Sequence, residues 1–396
     1  MFAVLRQPAF RRLFIGGSVS TLGDAISGIA LTFAVLRIGG DATALGLVLA
    51  ARAVPFLVFL LIGGVMADRL PRRGVMLGAD AVRLVAQGIA ATLVLTEAAE
   101  VWQLAVIAAV LGTAGAFFTP AATGLLPEVV EGEDLQRANA LRGFTAAGAW
   151  IVGPAIGGAL VAGAGAGWAL GADAASYAVS AVALAGLYVP PRQPGARHPF
   201  LRDLRDGWAA FTEHDWIWVI VVSLTLANFF STGLYVLGPV VADRELGGPG
   251  AWAAILSAGS IGALIGGIVS YRITPARPLL TACWFVCLGA TPLATLAIPA
   301  PTWVIALATL IAGGGALVFN TLWETTLQRH VAPDRLSRVS AYDYLGSFIA
   351  NPLGYALMGP LAAATSLRTA LIVAATGEGF FILLMLSRRS IRTLRA

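Results

Sequence analysis

The chain has 396 residues, of which 58% are hydrophobic and only 12% charged. Soluble domains carry about 25% charged residues, and no single soluble core hides this much apolar surface; a mean hydropathy of +0.82 points the same way. A soluble enzyme, a nucleic-acid-binding module and a disordered chain are therefore excluded, which leaves a polytopic membrane protein. All 26 basic residues are Arg, and with 21 acidic residues the net charge is +5. In a membrane protein such cationic excess sets orientation and does not imply a nucleic-acid partner.

A bilayer-spanning helix needs about 20 mostly apolar residues. Twelve such runs follow one another along the chain: 11–37, 44–67, 74–97, 101–126, 138–163, 166–189, 215–241, 250–271, 278–298, 302–327, 338–362 and 367–387. The first run, preceded by Arg6, Arg11 and Arg12, is too long for a signal-peptide core and reads as a retained span. The longest polar break, 190–214, carries Arg192, Arg197, Arg202 and Arg205 and serves as a linker. It divides the chain into an N-terminal six-helix bundle, 1–189, and a C-terminal one, 215–396. Cys283 and Cys287 share one helix face in the ninth run, with no His or acid near them, and read as packing residues.

The arginines support the count. Twenty-two fall in the two tails and five alternate loops, and four (Arg37, Arg52, Arg244 and Arg368) fall on the other side. The positive-inside rule then places both termini in the cytoplasm.

The chain also repeats itself at half its length. Ile62-Gly63-Gly64-Val65 before Arg69 recurs as Ile265-Gly266-Gly267-Ile268 before Arg272. Phe118, Leu126, Arg137 and Ala140 recur as Phe319, Leu327, Arg338 and Ala341, and Gly148 and Pro154 as Gly346 and Pro352. Each element returns six spans later in the same orientation, so the fold is an all-α membrane protein of two parallel six-helix repeats.

These residues carry a family resemblance. Gly64-x-x-x-Asp68-Arg69-x-x-Arg72-Arg73 resembles the signature between the second and third helices of the major facilitator superfamily. Gly148-x-x-x-x-Gly153-Pro154-x-x-Gly157-Gly158 resembles its antiporter motif. Leu22-Gly23-Asp24, Arg52-Ala53-Val54-Pro55 and Thr119-Pro120-Ala121 are similar to the branch that holds the enterobactin exporter and macrolide-efflux proteins. The second copy of the loop signature is degraded, with Tyr271 where Asp68 stands in the first.

The resemblance implies export of a hydrophobic or amphipathic small molecule (an antibiotic, drug or siderophore) by proton antiport across a bacterial cytoplasmic membrane. Proton-coupled uptake, lipid transport or a non-transporting sensor on the same fold are the alternatives. The partners implied are the small molecule, protons and lipid, with a monomeric chain. No cofactor, metal spacing, nucleophile elbow or phosphate loop is present in the sequence, so no enzyme is expected. By resemblance, Gly64, Asp68, Arg69, Arg72 and Arg73 form a conformational switch, together with Gly153, Pro154, Gly157 and Gly158. Cavity-lining helices would offer Phe117, Asn228, Phe229, Tyr235, Asn320 and Trp323 to a substrate.

Charges inside a span each cost about 2.5–3.5 kcal/mol and need a partner or a wet cavity. Asp24 and Arg52 lie at similar depth in the first and second spans, so they are expected to pair. Protonation of Asp24 would release Arg52, although a purely structural salt bridge fits the same residues. Glu324 in the tenth span joins them as a proton-coupling candidate. Asp80 and Arg83 are spaced to pair on the third helix. Asp173 is placed to cap the start of the sixth, and Glu378, central in the twelfth, has no assigned role.

Overall fold

In the computed structural model all regular structure among the described residues is helical; these residues are 2–130, 132, 134–188, 208–209 and 211–395, and the side chains of 2, 3, 61, 68, 333, 334, 337 and 338 are outside the description. The helices are α1 (Pro8–Arg37), α2 (Ala42–Arg69), α3 (Arg72–Leu95), α4 (Val101–Val129), α5 (Asp134–Gly163) and α6 (Ala166–Ala185). They continue as α7 (Asp215–Val241), α8 (Pro249–Arg272), α9 (Pro278–Val286), α10 (Thr291–Ala297), α11 (Thr302–His330) and α12 (Pro333–Phe348). The last are α13 (Asn351–Ala364), α14 (Leu367–Met385) and the short α15 (Arg389–Thr393).

These account for the twelve spans, with two of them interrupted. The ninth is α9 and α10 joined by a 3-10 turn over Cys287–Ala290. The eleventh is α12 and α13 broken at Ile349 and Ala350, and among the described residues the other eleven spans are long and apolar enough to cross a membrane. Pro352 explains the break. It has no N–H for the Phe348 carbonyl, and its ring disfavours helical geometry at the residue before it. Two carbonyls left at the end of α12 find partners on α7: Thr225 donates to the Gly346 oxygen at 2.7 Å, and Asn228 to the Ser347 oxygen at 2.9 Å. Side chains of α7 thus answer two of the carbonyls at the break, where lipid could not.

The chain divides into two compact units, Met1–Pro194 with Gly247–Ser257, and Gly195–Leu246 with Ala258–Ala396. The first turns of α8 therefore group with the first unit, where the Ser257 hydroxyl donates to the Ile151 carbonyl of α5 at 2.8 Å. Most of the expected linker, 190–214, lies outside the described residues. In the first unit α2 packs on α4, α1 on α5 and α6, and α3 on α4 and α6. At the end where α1 begins, Phe10, Leu13, Met76, Leu125, Leu141 and Leu184 close a core. In the second unit Ile217, Ile220, Leu279, Phe319, Trp323 and Ile382 form the corresponding one. Cys283 belongs to it, with its sulfur 4.0 Å from that of Met385. On the outer faces large apolar side chains stand exposed, for example Val82, Val85 and Ile89 along α3, as a lipid-facing surface demands.

Candidate functional site

The first unit holds a cluster of charge that lipid would reject. Asp24 and Arg52 are brought together, with Arg52 Nη2 3.5 Å from Asp24 Oδ1. The Tyr177 hydroxyl of α6 donates to the same oxygen at 2.8 Å. At 3.5 Å the arginine contact is an ion pair more than a tight hydrogen bond. Its partners keep side-chain exposures of 38% for Arg52 and 27% for Asp24, so this end of the cluster reaches open space.

Deeper in the unit the polar groups are fully enclosed. Asp80 and Arg83 form an ion pair one turn apart on α3, and the Ser180 hydroxyl donates to the other Asp80 oxygen at 2.7 Å. The Arg83 guanidinium lies 3.9 Å from the centroid of the Phe118 ring and 4.5 Å from that of Tyr177, a cation–π sandwich that lowers the cost of its burial. Gln87 donates to Asp173 Oδ2 at 2.9 Å, and Ser176 lies 3.3 Å from Oδ1. Asp173 does not cap α6. That helix starts at Ala166 with Gly165 at its N-cap, so Asp173 sits inside the helix, fully buried, and faces α1 and α3. Tyr177, Gln87 and Asp173 were not expected at the site. Their helical spacing is visible in the sequence, but the neighbour each one faces is fixed only by packing.

Glycines let these helices meet. A Cβ on Gly23 would overlap the Asp173 and Ser176 side chains, so the carboxyl occupies space that a larger residue at 23 would take. On α5, a Cβ on Gly153 would strike Ala25, and one on Gly157 would strike the Ile26 backbone. The glycine-proline motif of α5 therefore grips α1 one residue beyond Asp24. Gly158, about 100° further around α5, meets Ala253 and Pro249 of α8 instead.

The loop between α2 and α3 is built from hydrogen bonds to helix ends. Arg72 pairs with Glu128 at 2.9 Å and donates to the Gly124 and Ala67 carbonyls. Arg73 donates to the Leu184 and Ala185 carbonyls at the end of α6, where a cation complements the helix dipole. Arg69 is exposed, and the Asp68 side chain lies outside the described residues. Close approach to α4 is the work of Gly63, which abuts the Ala116 carbonyl, whereas Gly64 faces open space.

Of the residues expected to line a cavity, Phe117 belongs to the first unit and the other five to the second. Phe117 packs on Phe59 and lines a groove with Met66, Gly78 and Val110, on the first unit. Asn228 bridges α7 to the break in the eleventh span. Phe229 packs edge-on against Phe230. Tyr235, Asn320 and Glu324 are exposed, with no ion pair to Glu324 among the described residues. Trp323 is 3% exposed, stacks on Phe319, meets Trp216 edge-on and donates to Asp343 at 2.9 Å, which makes it a packing residue of the second unit in this conformation. Among the described residues no group of three or more His, Cys, Asp or Glu is arranged to hold a metal.

Residues 13–355 match the family model described as Major Facilitator Superfamily. The chain belongs to that superfamily. It is 25% identical over 389 residues to the enterobactin exporter EntS of Escherichia coli O1:K1 / APEC, covering 96% of this chain and 90% of that one. A similar match, 25% over 391 residues, is made to the same exporter from Shigella boydii serotype 18. Among solved structures, the nucleoside transporter NupG superposes with a TM-score of 0.76 at 14% identity, covering 98% of this chain and 100% of that one. A bacterial homologue of the iron transporter ferroportin gives 0.75 at 16%, with 96% and 98% covered. These likenesses show the twelve-helix transporter fold. The protein is thus a multi-pass transporter of small molecules in the bacterial cytoplasmic membrane, not an enzyme.

Proposed function

We propose that the chain exports an amphipathic small molecule, of the siderophore or macrolide class, in exchange for protons. The observation that carries this reading is the Asp24–Arg52 pair, held 3.5 Å apart at span depth and partly open. A carboxylate and a guanidinium so placed attract each other; a proton on Asp24 removes the attraction and frees Arg52. Tyr177 keeps the carboxylate oriented in either state. Likeness to the enterobactin exporter over nearly the whole chain supports outward transport. So does the glycine-proline motif that grips α1 beside Asp24. The arginine distribution supports cytoplasmic termini.

The loop arginines supply the switch. Arg72 and Arg73 tie the start of α3 to the ends of α4 and α6. Contacts of this kind, made in one state and broken in another, need only a few kcal/mol of difference to bias an alternating-access equilibrium. Glu324, exposed on α11, serves as a secondary carboxyl whose loss slows the cycle. Phe117, Phe229, Tyr235 and Asn320 offer the aromatic and amide surface that an amphipathic substrate needs, and Asn228 and Trp323 hold the helices that present it.

Drug susceptibility in an efflux-deficient host tests the reading. Expression is expected to raise resistance to, or secretion of, at least one of enterobactin, erythromycin and ethidium, and Asp24→Asn to remove the effect. Accumulation of the same compounds in expressing cells would instead favour uptake.

A further inference from the structure

The buried cluster of the first unit contains three carboxyls, Asp24, Asp80 and Asp173, and two guanidiniums, Arg52 and Arg83. One negative charge is therefore left over in a region of low dielectric, where an uncompensated carboxylate is driven to take up a proton. The geometry identifies which carboxyl that is. Asp24 has Arg52 and the Tyr177 hydroxyl. Asp80 has Arg83 and the Ser180 hydroxyl. Among the described residues no arginine makes an ion pair or hydrogen bond with Asp173, and its donors are all neutral. The Gln87 amide reaches it at 2.9 Å, and the Ser27 hydroxyl approaches from α1. The Ser176 hydroxyl, 3.3 Å from the second oxygen, lies closer to the Asp173 carbonyl at 2.7 Å. Asp173 is also fully buried, unlike Asp24.

The surroundings of Asp173 bring no further cation. From α1 come Ser27 and Asp24, whose neighbour Gly23 lies against the Asp173 carboxyl. From α3 come Asp80, Arg83 and Gln87, and Arg83 is already bound to Asp80. At this level α5 presents Gly153, Pro154 and Gly157, none of which is charged. Arg52, from α2, is the remaining cation, and it is engaged by Asp24.

Building on the proton antiport proposed above, we infer that Asp173 is the proton-binding carboxyl of the resting cluster, with Asp24 as its exchange partner toward open space. The proton sits on Asp173 while Asp24 pairs with Arg52. When the helices shift, it passes to Asp24, breaking the pair with Arg52, and Asp173 becomes the carboxylate. One proton moves and the cluster's net charge is unchanged. Gly23, next to Asp24 in the chain, has no side chain and so leaves the Asp173 carboxyl room against α1.

Dicyclohexylcarbodiimide, an apolar reagent that adds to protonated carboxyls within membranes, tests the assignment without any substrate. Wild-type protein in lipid, treated at neutral pH and mapped by mass spectrometry, is expected to carry the adduct on Asp173. The label should fade as pH is raised and be lost from this region in Asp173→Asn. Adduct on Asp24 with none on Asp173, or on neither, would overturn the inference. In vesicles, Asp173→Asn is expected to bind and exchange substrate yet lose substrate-driven proton release. If wild-type vesicles themselves show no such release, antiport fails, while the labelling still decides where the proton resides.

Discussion

Gly63 of α2 lies against the Ala116 carbonyl of α4, and Gly266 of α8 lies against the Gly314 carbonyl of α11. The same contact recurs in each unit, as the internal repeat of the sequence anticipates. What the two skeletons enclose is different. The first unit buries Asp80, Arg83, Gln87 and Asp173 around an Asp24–Arg52 pair. The second buries aromatic packing around Trp216, Phe319 and Trp323, and among the described residues no arginine pairs with its inner acids: Asp343 takes the Trp323 indole, and one oxygen of Glu378 has no partner. Duplication preserved the close-packed glycine contacts, since a Cβ there would strike backbone. The buried charge diverged, because side chains inside a bundle can be replaced in sets so long as each set is satisfied. On the proposed proton antiport, the ion chemistry falls to the first unit and a supporting role to the second.

The contrast is open to attack at several points. The largest effect is expected from Asp24→Asn, with complete loss of substrate-driven proton release and an intact fold in detergent. Glu324→Gln in the second unit should only slow transport; equal loss in both variants would erase the distinction between the units. Next comes Arg83→Ala, which leaves Asp80 buried without its cation. Breaking one partner of a buried pair costs about 3–5 kcal/mol, so thermal unfolding should drop sharply, and Arg83→Ala with Asp80→Ala should recover part of the loss. Gly23→Val puts a side chain where Asp173 and Ser176 stand. Overpacking of this kind costs about 1–3 kcal/mol, and proton release should fall further than stability does. The smallest effect is expected at the exposed Arg335–Glu213 pair of the second unit. There Arg335→Gln should change stability by no more than about 0.5–1 kcal/mol, since exposed pairs contribute little.

Much of this was legible before any coordinates. The span count, the repeat and the superfamily follow from hydropathy, arginine position and the motif at 64–73. The Asp24–Arg52 meeting follows from depth alone, because helical rise converts residue number into height in the membrane. What the chain conceals is azimuth. Asp173 reads as a helix cap until α6 is seen to begin at Ala166 and to point that carboxyl at α1 and α3. Phe118 covers Arg83, whereas Phe117, one position and about 100° away around the helix, packs on Phe59. The break at Ile349 was missed for a related reason. Hydropathy sums apolar residues and does not register that Pro352 leaves the carbonyls of α12 to be answered by Thr225 and Asn228.

Proton movement in everted vesicles is the most direct test of the account. With the wild-type transporter, respiration acidifies the vesicle interior, and adding enterobactin, erythromycin or ethidium should release protons as a rapid recovery of a quenched pH-sensitive dye. Asp24→Asn vesicles, matched for expression, should show no recovery. Wild-type recovery that survives in Asp24→Asn, or its absence with every compound tested, would contradict the placement of proton coupling on the Asp24–Arg52 pair.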